Sequence, residues 1–347
     1  MLYYLIPFGV ATILSLAATP LIKTLANKWG IVDQPAPRKI HQKPMPLLGG
    51  LAIFLAFTIT VIIFWFNGYI VDAKITDWHI LAIIFAGIVL MVGGFLDDKY
   101  NLKPAQQFIF PILAIIIIII SGIKIQYITS PVGGIFKFSI YWGVLLAIIW
   151  LLGMIYTTKF LDGLDGLVTG TTLIGSIIIF IVSLYWDIPH SGTSILVIIL
   201  AGALLGFLPY NWHPAKIFLG EGGSVFCGFM LGVLSIISGS KVATALLIMG
   251  VPILDLVWVV LRRIWQGKSP TMADRKHLHF RLLDIGLSHR QAVIFLYSLT
   301  ASFGISSLFL HTKGKIFAIL ILFAFMFIMA GLLLLAYKLR NKSIQNV

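Results

Sequence analysis

Residues 79–98 read HILAIIFAGIVLMVGGFLDD: eighteen residues free of Asp, Glu, Lys and Arg, closed by two adjacent aspartates. A helix needs about 20 apolar residues to cross the hydrocarbon core of a bilayer. The stretch therefore reads as a membrane span whose carboxylates, Asp97 and Asp98, emerge at one surface. Ten further stretches read the same way, roughly 3–22, 48–66, 106–122, 140–157, 167–185, 193–209, 223–238, 242–261, 291–310 and 316–337.

The composition agrees. Of 347 residues, 59% are hydrophobic and 11% charged, and the mean hydropathy is +1.03. A soluble domain carries about 25% charged residues. Here there are too few to cover a water-facing surface, which excludes a soluble enzyme, a disordered chain and a coiled coil. The expectation is an all-α, polytopic membrane helix bundle of about eleven transmembrane helices, forming one domain over 1–347. The first stretch lacks a basic leader and a small-residue cleavage site, so it is expected to be retained. Cys227 is the single cysteine, which excludes an intramolecular disulfide and a cysteine metal cage.

Eleven spans place the termini on opposite sides, and the basic residues choose the sides. The loops after spans 1, 3, 5, 7 and 9, with the C-terminal tail, hold 19 of the 25 Lys and Arg. Those loops are expected in the cytoplasm, the N-terminus outside, and the tail residues Lys338, Arg340 and Lys342 inside. Topology and contact with anionic membrane lipid account for the net charge of +13. Nucleic acid is not an expected partner. Nine of the twelve acids fall on the same side, as do His41, His213, His277, His279 and His289. That concentration points to a cytoplasmic active site on a multi-pass protein of the cell membrane.

Four segments carry the chemistry. The first is 93–99, Gly-Gly-Phe-Leu-Asp97-Asp98-Lys99. Adjacent carboxylates near lipid are costly unless a divalent cation or a proton relieves them. The bland alternative is a solvated helix end with Lys99 neutralising one charge. The second is 159–166, Lys159-Phe-Leu-Asp162-Gly-Leu-Asp165-Gly. Its aspartates share a side if the segment is helical, and its glycines admit a ligand close to the backbone. The third joins Asn211, His213 and Phe218 to Leu219-Gly220-Glu221-Gly222-Gly223-Ser224. Glu221 is the chain's single glutamate, and the helix N-terminus beside it favours an anion. The fourth lies in the loop 262–290 and contains Asp274, Arg275, Lys276, His277, His279 and Arg281. Such a run can grip a diphosphate or simply face anionic lipid.

In this order the four segments resemble one family, the polytopic polyprenyl-phosphate N-acetylhexosamine-1-phosphate transferases (glycosyltransferase family 4). The resemblance runs from about 38 to 290. The family's paired aspartates match Asp97 and Asp98, its DGLDG matches 162–166, its FxGDxGS matches 218–224, and its histidine loop resembles 277–283. The basic, Pro-rich stretch 39–50, with His41, Lys43 and the pair Gly49-Gly50, resembles the family's early loop. This sequence also departs from the pattern. Asn101 stands where a third acid is usual. Lys159 and Tyr156 replace two asparagines, Glu221 replaces an aspartate, and one histidine of the loop is absent.

The resemblance implies transfer of an N-acetylhexosamine 1-phosphate, with GlcNAc-1-phosphate the favoured group, from a UDP-sugar to undecaprenyl phosphate. UMP and a lipid diphospho-sugar for cell-envelope glycans would be the products. It implies Mg²⁺, with Mn²⁺ as substitute, on Glu221 and Asp98. Asp97 would be the base or would poise the acceptor, in a catalytic group with Asp98 and Asp162. Asn211, Phe218 and Asp165 would bind uridine. Lys43, Lys159, His277, His279 and Arg281 would bind the rest of the substrates, with Lys159 meeting the diphosphate or pairing with Asp162. Asp255, the acid well inside a span, is expected to hold helices together. A homodimer is compatible with this reading. A phospho-N-acetylmuramyl-pentapeptide transferase is the alternative within the family. A transporter of anionic sugar or lipid is the alternative outside it, and would call for repeated halves and polar groups at mid-membrane.

Overall fold

The computed structural model describes residues 2–35, 43–130, 132–238, 241–269 and 276–345. His41 and the rest of 38–42, together with Asp274 and Arg275, lie outside the described residues, as do the side chains of Lys338, Arg340 and Lys342.

Within a bilayer the backbone must satisfy its own hydrogen bonds, so apolar runs become helices. They are α1 (Leu2–Lys28), α2 (Gly49–Phe66), α3 (Asp77–Tyr100), α4 (Pro104–Gln107), α5 (Ile109–Ile120), α6 (Ile140–Leu161), α7 (Leu167–Trp186), α8 (Gly192–Asn211), α9 (Gly220–Ile237), α10 (Val242–Ile248), α11 (Gly250–Trp265), α12 (Leu278–Asp284), α13 (His289–Phe309) and α14 (Thr312–Gln345). Two short antiparallel ribbons interrupt the all-α pattern. One pairs β1 (Val32–Asp33) with β2 (Met45–Pro46); the other pairs β3 (Tyr127–Thr129) with β4 (Ile135–Lys137).

Among the described residues, nine helices are long and apolar enough to cross a membrane. The expected span 242–261 is instead α10 and α11, bent by 74°. The bend sits at Met249, just before Pro252, which lacks an N–H to continue the ladder. The expected span 106–122 is the shorter apolar piece Pro104–Ile120. It starts beside Asp97, and the Gly122 that follows it lies near His79 at the other end of α3.

Helix ends sort into two faces. On one, Gly49 and Gly50 donate to the carbonyls of Phe218 and Leu219, and Leu47 donates to Ile31. On the other, the Tyr4 hydroxyl accepts from the His190 N–H, and Lys74 and Lys241 bracket Asp187 at 3.0 and 2.7 Å. There burial draws the Lys241 amine down to about 8, although Asp187 acts the other way. The N-terminal residues Tyr3 and Tyr4 lie on this second face.

α9 is the axis of the bundle. Of its most apolar window 89% is buried, against 28% for α1 and 17% for α14, whose apolar side chains face outward. Small residues let it approach its neighbours backbone to backbone. A Cβ on Gly50 of α2 would lie 2.0 Å from the Gly223 Cα, and one on Gly94 of α3 would lie 2.1 Å from the Gly222 Cα. Gly50→Ala and Gly94→Ala are each expected to cost about 1–3 kcal/mol by overpacking. Thermal unfolding of the detergent-purified protein checks this, with Gly9→Ala as the silent control because nothing lies within 4 Å of Gly9.

Candidate active site

The first face opens into a cavity of about 630 Å³. Asp33, Asp97, Asp98, Asp162, Asp165 and Glu221 all line it, with Lys159, Asn211, His213, Phe218, Phe280 and His289. The acids come from β1, the end of α3, the turn after α6 and the start of α9. The fold thus concentrates carboxylates that are scattered along the chain.

α3 ends because Asn101 adopts a left-handed conformation (φ 51°), its N–H bonding the Asp97 carbonyl at 2.8 Å. Asn tolerates that region better than most residues. The chain then folds back, and Asp97 Oδ1 accepts from the Leu102 N–H and the Gln107 amide, both at 2.9 Å. Asp98 turns the other way. Its two oxygens accept the Glu221 N–H at 3.1 and 3.3 Å. The anion favoured at the start of α9 is therefore an aspartate of this chain. Gly220 permits the contact: its φ is +75°, and a Cβ there would sit 2.6 Å from Asp98 Oδ2.

Lys159, at the end of α6, does not pair with Asp162. Its amine donates to the Glu221 carboxylate and to Gln107 Oε1, the latter at 2.8 Å. Gln107 bridges Asp97 and Lys159, so one hydrogen-bonded chain runs from Asp97 through Gln107 and Lys159 to Glu221.

Asp162 caps α6 with non-helical geometry (φ −75°, ψ 57°), and the segment after it is a turn. Its side chain is wetted by the cavity, yet it sits deep among the helix ends. The surrounding protein, then Glu221 and Asp165, push its carboxyl up to about 8. Asp165 goes its own way. Its Oδ2 lies 2.7 Å from His213 Nδ1 and accepts the Ala215 N–H at 3.1 Å. The His213 and His289 rings stack at 3.9 Å and 13°. Ligand atoms of Asp165, His213 and His289 fall within 4.8 Å of one another. Nearly parallel rings aim their lone pairs along separate planes, so this trio suits a hydrogen-bonded stack better than a shared ion. Tyr297 of α13 secures the turn by donating to the Gly166 carbonyl.

Phe218 lines the cavity, held by its backbone to Pro46 and Gly49. Asn211 also borders it, but its amide is engaged: it accepts from Thr169 Oγ1 at 2.8 Å and donates to the Ile217 carbonyl at 3.1 Å.

The histidine loop is placed differently from the sequence expectation. His277 and His279 are buried and outside the cavity lining. His277 Nδ1 lies 2.8 Å from Asp255 Oδ2, and the Leu278 N–H donates to Asp255 Oδ1 at 2.9 Å. Asp255 thus fastens the start of α12 to α11. His279 packs under the turn, where a Cβ on Gly163 would come 2.3 Å from its Nε2. Burial, then His277 and His289, hold the His279 pKa near 3, so it is neutral at cellular pH. Phe280, between them and Arg281, reaches the cavity. Arg281 instead lines an apolar groove of about 400 Å³ with Trp258, Trp265, Phe323 and Phe327. Lys43 is exposed and outside the lining.

Sequence reasoning missed Gln107, Phe280 and the pairing of His213 with Asp165. Gln107 carries no motif. His213 and His289 stand in loops expected on one side of the membrane, and only the fold makes them neighbours.

Residues 80–239 match the family described as Glycosyl transferase family 4. The chain is 34% identical over 344 residues to a probable undecaprenyl-phosphate N-acetylglucosaminyl 1-phosphate transferase of Bacillus subtilis, covering 95% of this chain and 92% of that one. It is 32% identical over 332 residues to a decaprenyl-phosphate N-acetylglucosaminephosphotransferase of Mycolicibacterium smegmatis, covering 88% and 82%. To an undecaprenyl-phosphate alpha-N-acetylglucosaminyl 1-phosphate transferase of Escherichia coli K12 it is 26% identical over 331 residues, covering 89% and 85%.

Asp255→Ala is expected to strand the His277 ring and the Leu278 N–H, costing about 1–3 kcal/mol. Asp255→Asn keeps an acceptor and should cost less. Thermal unfolding of the two variants distinguishes them.

Proposed function

The chain belongs to glycosyl transferase family 4, and on that premise we propose that it transfers N-acetylglucosamine 1-phosphate from its UDP-sugar to undecaprenyl phosphate. UMP leaves, and a lipid diphospho-sugar for cell-envelope glycan synthesis is formed. One observation carries the reading: carboxylates from three separate motifs line the same cavity as Phe218, at the helix ends of a multi-pass membrane protein. Nineteen of the 25 basic residues belong to loops assigned to this side. The proposed orientation is therefore a cytoplasmic active site and C-terminus, with the N-terminus outside.

In the transfer, an oxygen of the lipid phosphate bonds to the sugar-bearing phosphorus while the bond from that phosphorus to the uridine-side phosphate oxygen breaks. Such chemistry asks chiefly for positioning and charge neutralisation. Asp97, held by Leu102 and Gln107, faces the cavity as base or as guide for the acceptor. The acceptor's second pKa is near 6, so little basicity is required. Phe218 offers its ring to the uracil, beside Asp165 and Asn211. Lys159 reaches the donor phosphates. The acceptor's tail is assigned to the apolar groove between α11 and α14, which leaves its phosphate at the helix ends, free to enter the cavity. His277 and His279 support the turn from beneath.

The donor set fits a hard divalent cation. Asp98 and Glu221 both line the cavity, joined through the Glu221 N–H, and carboxylate oxygens suit Mg²⁺ or Mn²⁺. When bound, the ion would neutralise charge on the diphosphate and on departing UMP. Asp98 is fixed for that task by the N–H of Glu221.

Full-length protein with Mg²⁺, undecaprenyl phosphate and UDP-N-acetylglucosamine is expected to release UMP in step with lipid-linked sugar. Absence of turnover with every N-acetylhexosamine donor overturns the reading. Glu221→Gln is expected to lower kcat by at least about 100-fold. Burial pushes the carboxyl of Asp98, a proposed ligand, up to about 8, so below that pH an entering cation must displace its proton. Calorimetric Mg²⁺ affinity should therefore rise with pH up to about 8, and Asp98→Asn should weaken binding and flatten that rise.

A further inference from the structure

Lys159 and Glu221 lie 62 residues apart in separate motifs, and each departs from the family pattern. An amine stands in place of an amide, and a glutamate in place of an aspartate. The fold brings the two departures into contact, as an ion pair whose side chains are 16% and 20% exposed. A cation of this chain thus already sits on the carboxylate proposed to hold the metal.

We propose that Lys159 is a resident counter-ion of Glu221 that the donor diphosphate draws away, so that divalent cation and nucleotide diphosphate each tighten the binding of the other. The proposal rests on the nucleotide-sugar reading given above. Its physical basis is charge. An ammonium on Glu221 repels a second cation on the same carboxylate, and with both side chains largely buried water screens that repulsion poorly. A cation alone is therefore held weakly. A diphosphate supplies negative charge to both: its oxygens can take the ammonium while Glu221 keeps the ion.

The side chains suit the exchange. Lysine carries its charge on a flexible four-carbon stem. Gln107 Oε1, 2.8 Å from the amine, and the Tyr156 ring, 5.9 Å away, give the ammonium other partners as it leaves the carboxylate. Glutamate's extra methylene lets one carboxylate serve both states. An asparagine at 159 carries no charge and would not create this linkage. Coupling between two ligands is reciprocal, so either can be followed.

The opposing view is that Lys159 merely anchors Glu221. It predicts the opposite sign, since losing the anchor would weaken the metal. The test uses full-length protein in detergent, Mn²⁺ followed by its free-ion EPR signal, and UDP as the diphosphate. Mn²⁺ held by free UDP is subtracted. In the wild-type protein saturating UDP is expected to tighten Mn²⁺ by about tenfold or more, within the usual range for coupled sites. Lys159→Asn should bind Mn²⁺ alone about tenfold more tightly and lose most of the coupling, whereas Lys159→Arg should retain it. Independent binding of Mn²⁺ and UDP to the wild-type protein overturns the proposal, and needs no variant to fold. Weaker Mn²⁺ binding by Lys159→Asn, or unchanged coupling in it, overturns it too. An active transferase without coupling defeats this inference alone. Intact coupling without turnover on any donor defeats the transferase reading and leaves the linkage standing.

Discussion

The closest constraint in this molecule is the contact of bare backbones where α9 crosses α2 and α3. Gly223 meets Gly50 and Gly222 meets Gly94 so tightly that a methyl group on Gly50 or Gly94 would overlap a Cα. In a bilayer, where apolar side chains gain little by leaving lipid, such close packing is a main source of helix association. It also sets the chemistry. With α9 drawn against α3, the first N–H groups of α9 reach the Asp98 carboxylate, and Glu221 arrives beside it. The glycine pairs are therefore both packing devices and the reason two carboxylates share one wall of the cavity.

Around that wall the charges are arranged with few wasted contacts. Asp97 is tied to the turn after α3, Asp98 to the start of α9, and Asp165 to His213 and Ala215. Each restrained acid keeps a side toward the cavity. Six acids face Lys159 as the one Lys or Arg among the described lining residues. Such an excess of negative charge favours entry of a cation, and a diphosphate that carries one with it. Neutral His279 supports the turn without adding charge, because burial suppresses its protonation.

The helix count shows where hydropathy stops being informative. Long apolar runs such as 79–96 read correctly because only a helix satisfies their backbone in lipid. The run 242–261 is as apolar, but Pro252 and the approach to α13 and α14 break it into two helices at 74°. The β1–β2 ribbon carries no apolar period, and only its pairing across the loop brings Asp33 to the cavity. The histidine loop shows the same dependence on packing. Its composition resembles a phosphate grip, yet Asp255, 22 residues upstream in the chain, fastens His277 from beneath. A titratable side chain's type is visible in sequence, whereas its orientation depends on partners far along the chain.

By itself the sequence determined the solvent this protein lives in and the helical class, and it grouped most of the acids on one face. Each follows from local composition: hydrocarbon demands apolar helices, and charge cannot readily cross it. The motifs also pointed to Asp97, Asp98, Asp162, Asp165 and Glu221 before any coordinates. Tertiary structure alone decided which of them touch. It joined Lys159 to Glu221, gave Asp98 the N–H of α9, turned Asp165 toward His213 and buried His277 and His279 behind the turn. These are contacts between distant segments, set by how closely helices approach, and that distance is a property of packing that no single segment encodes.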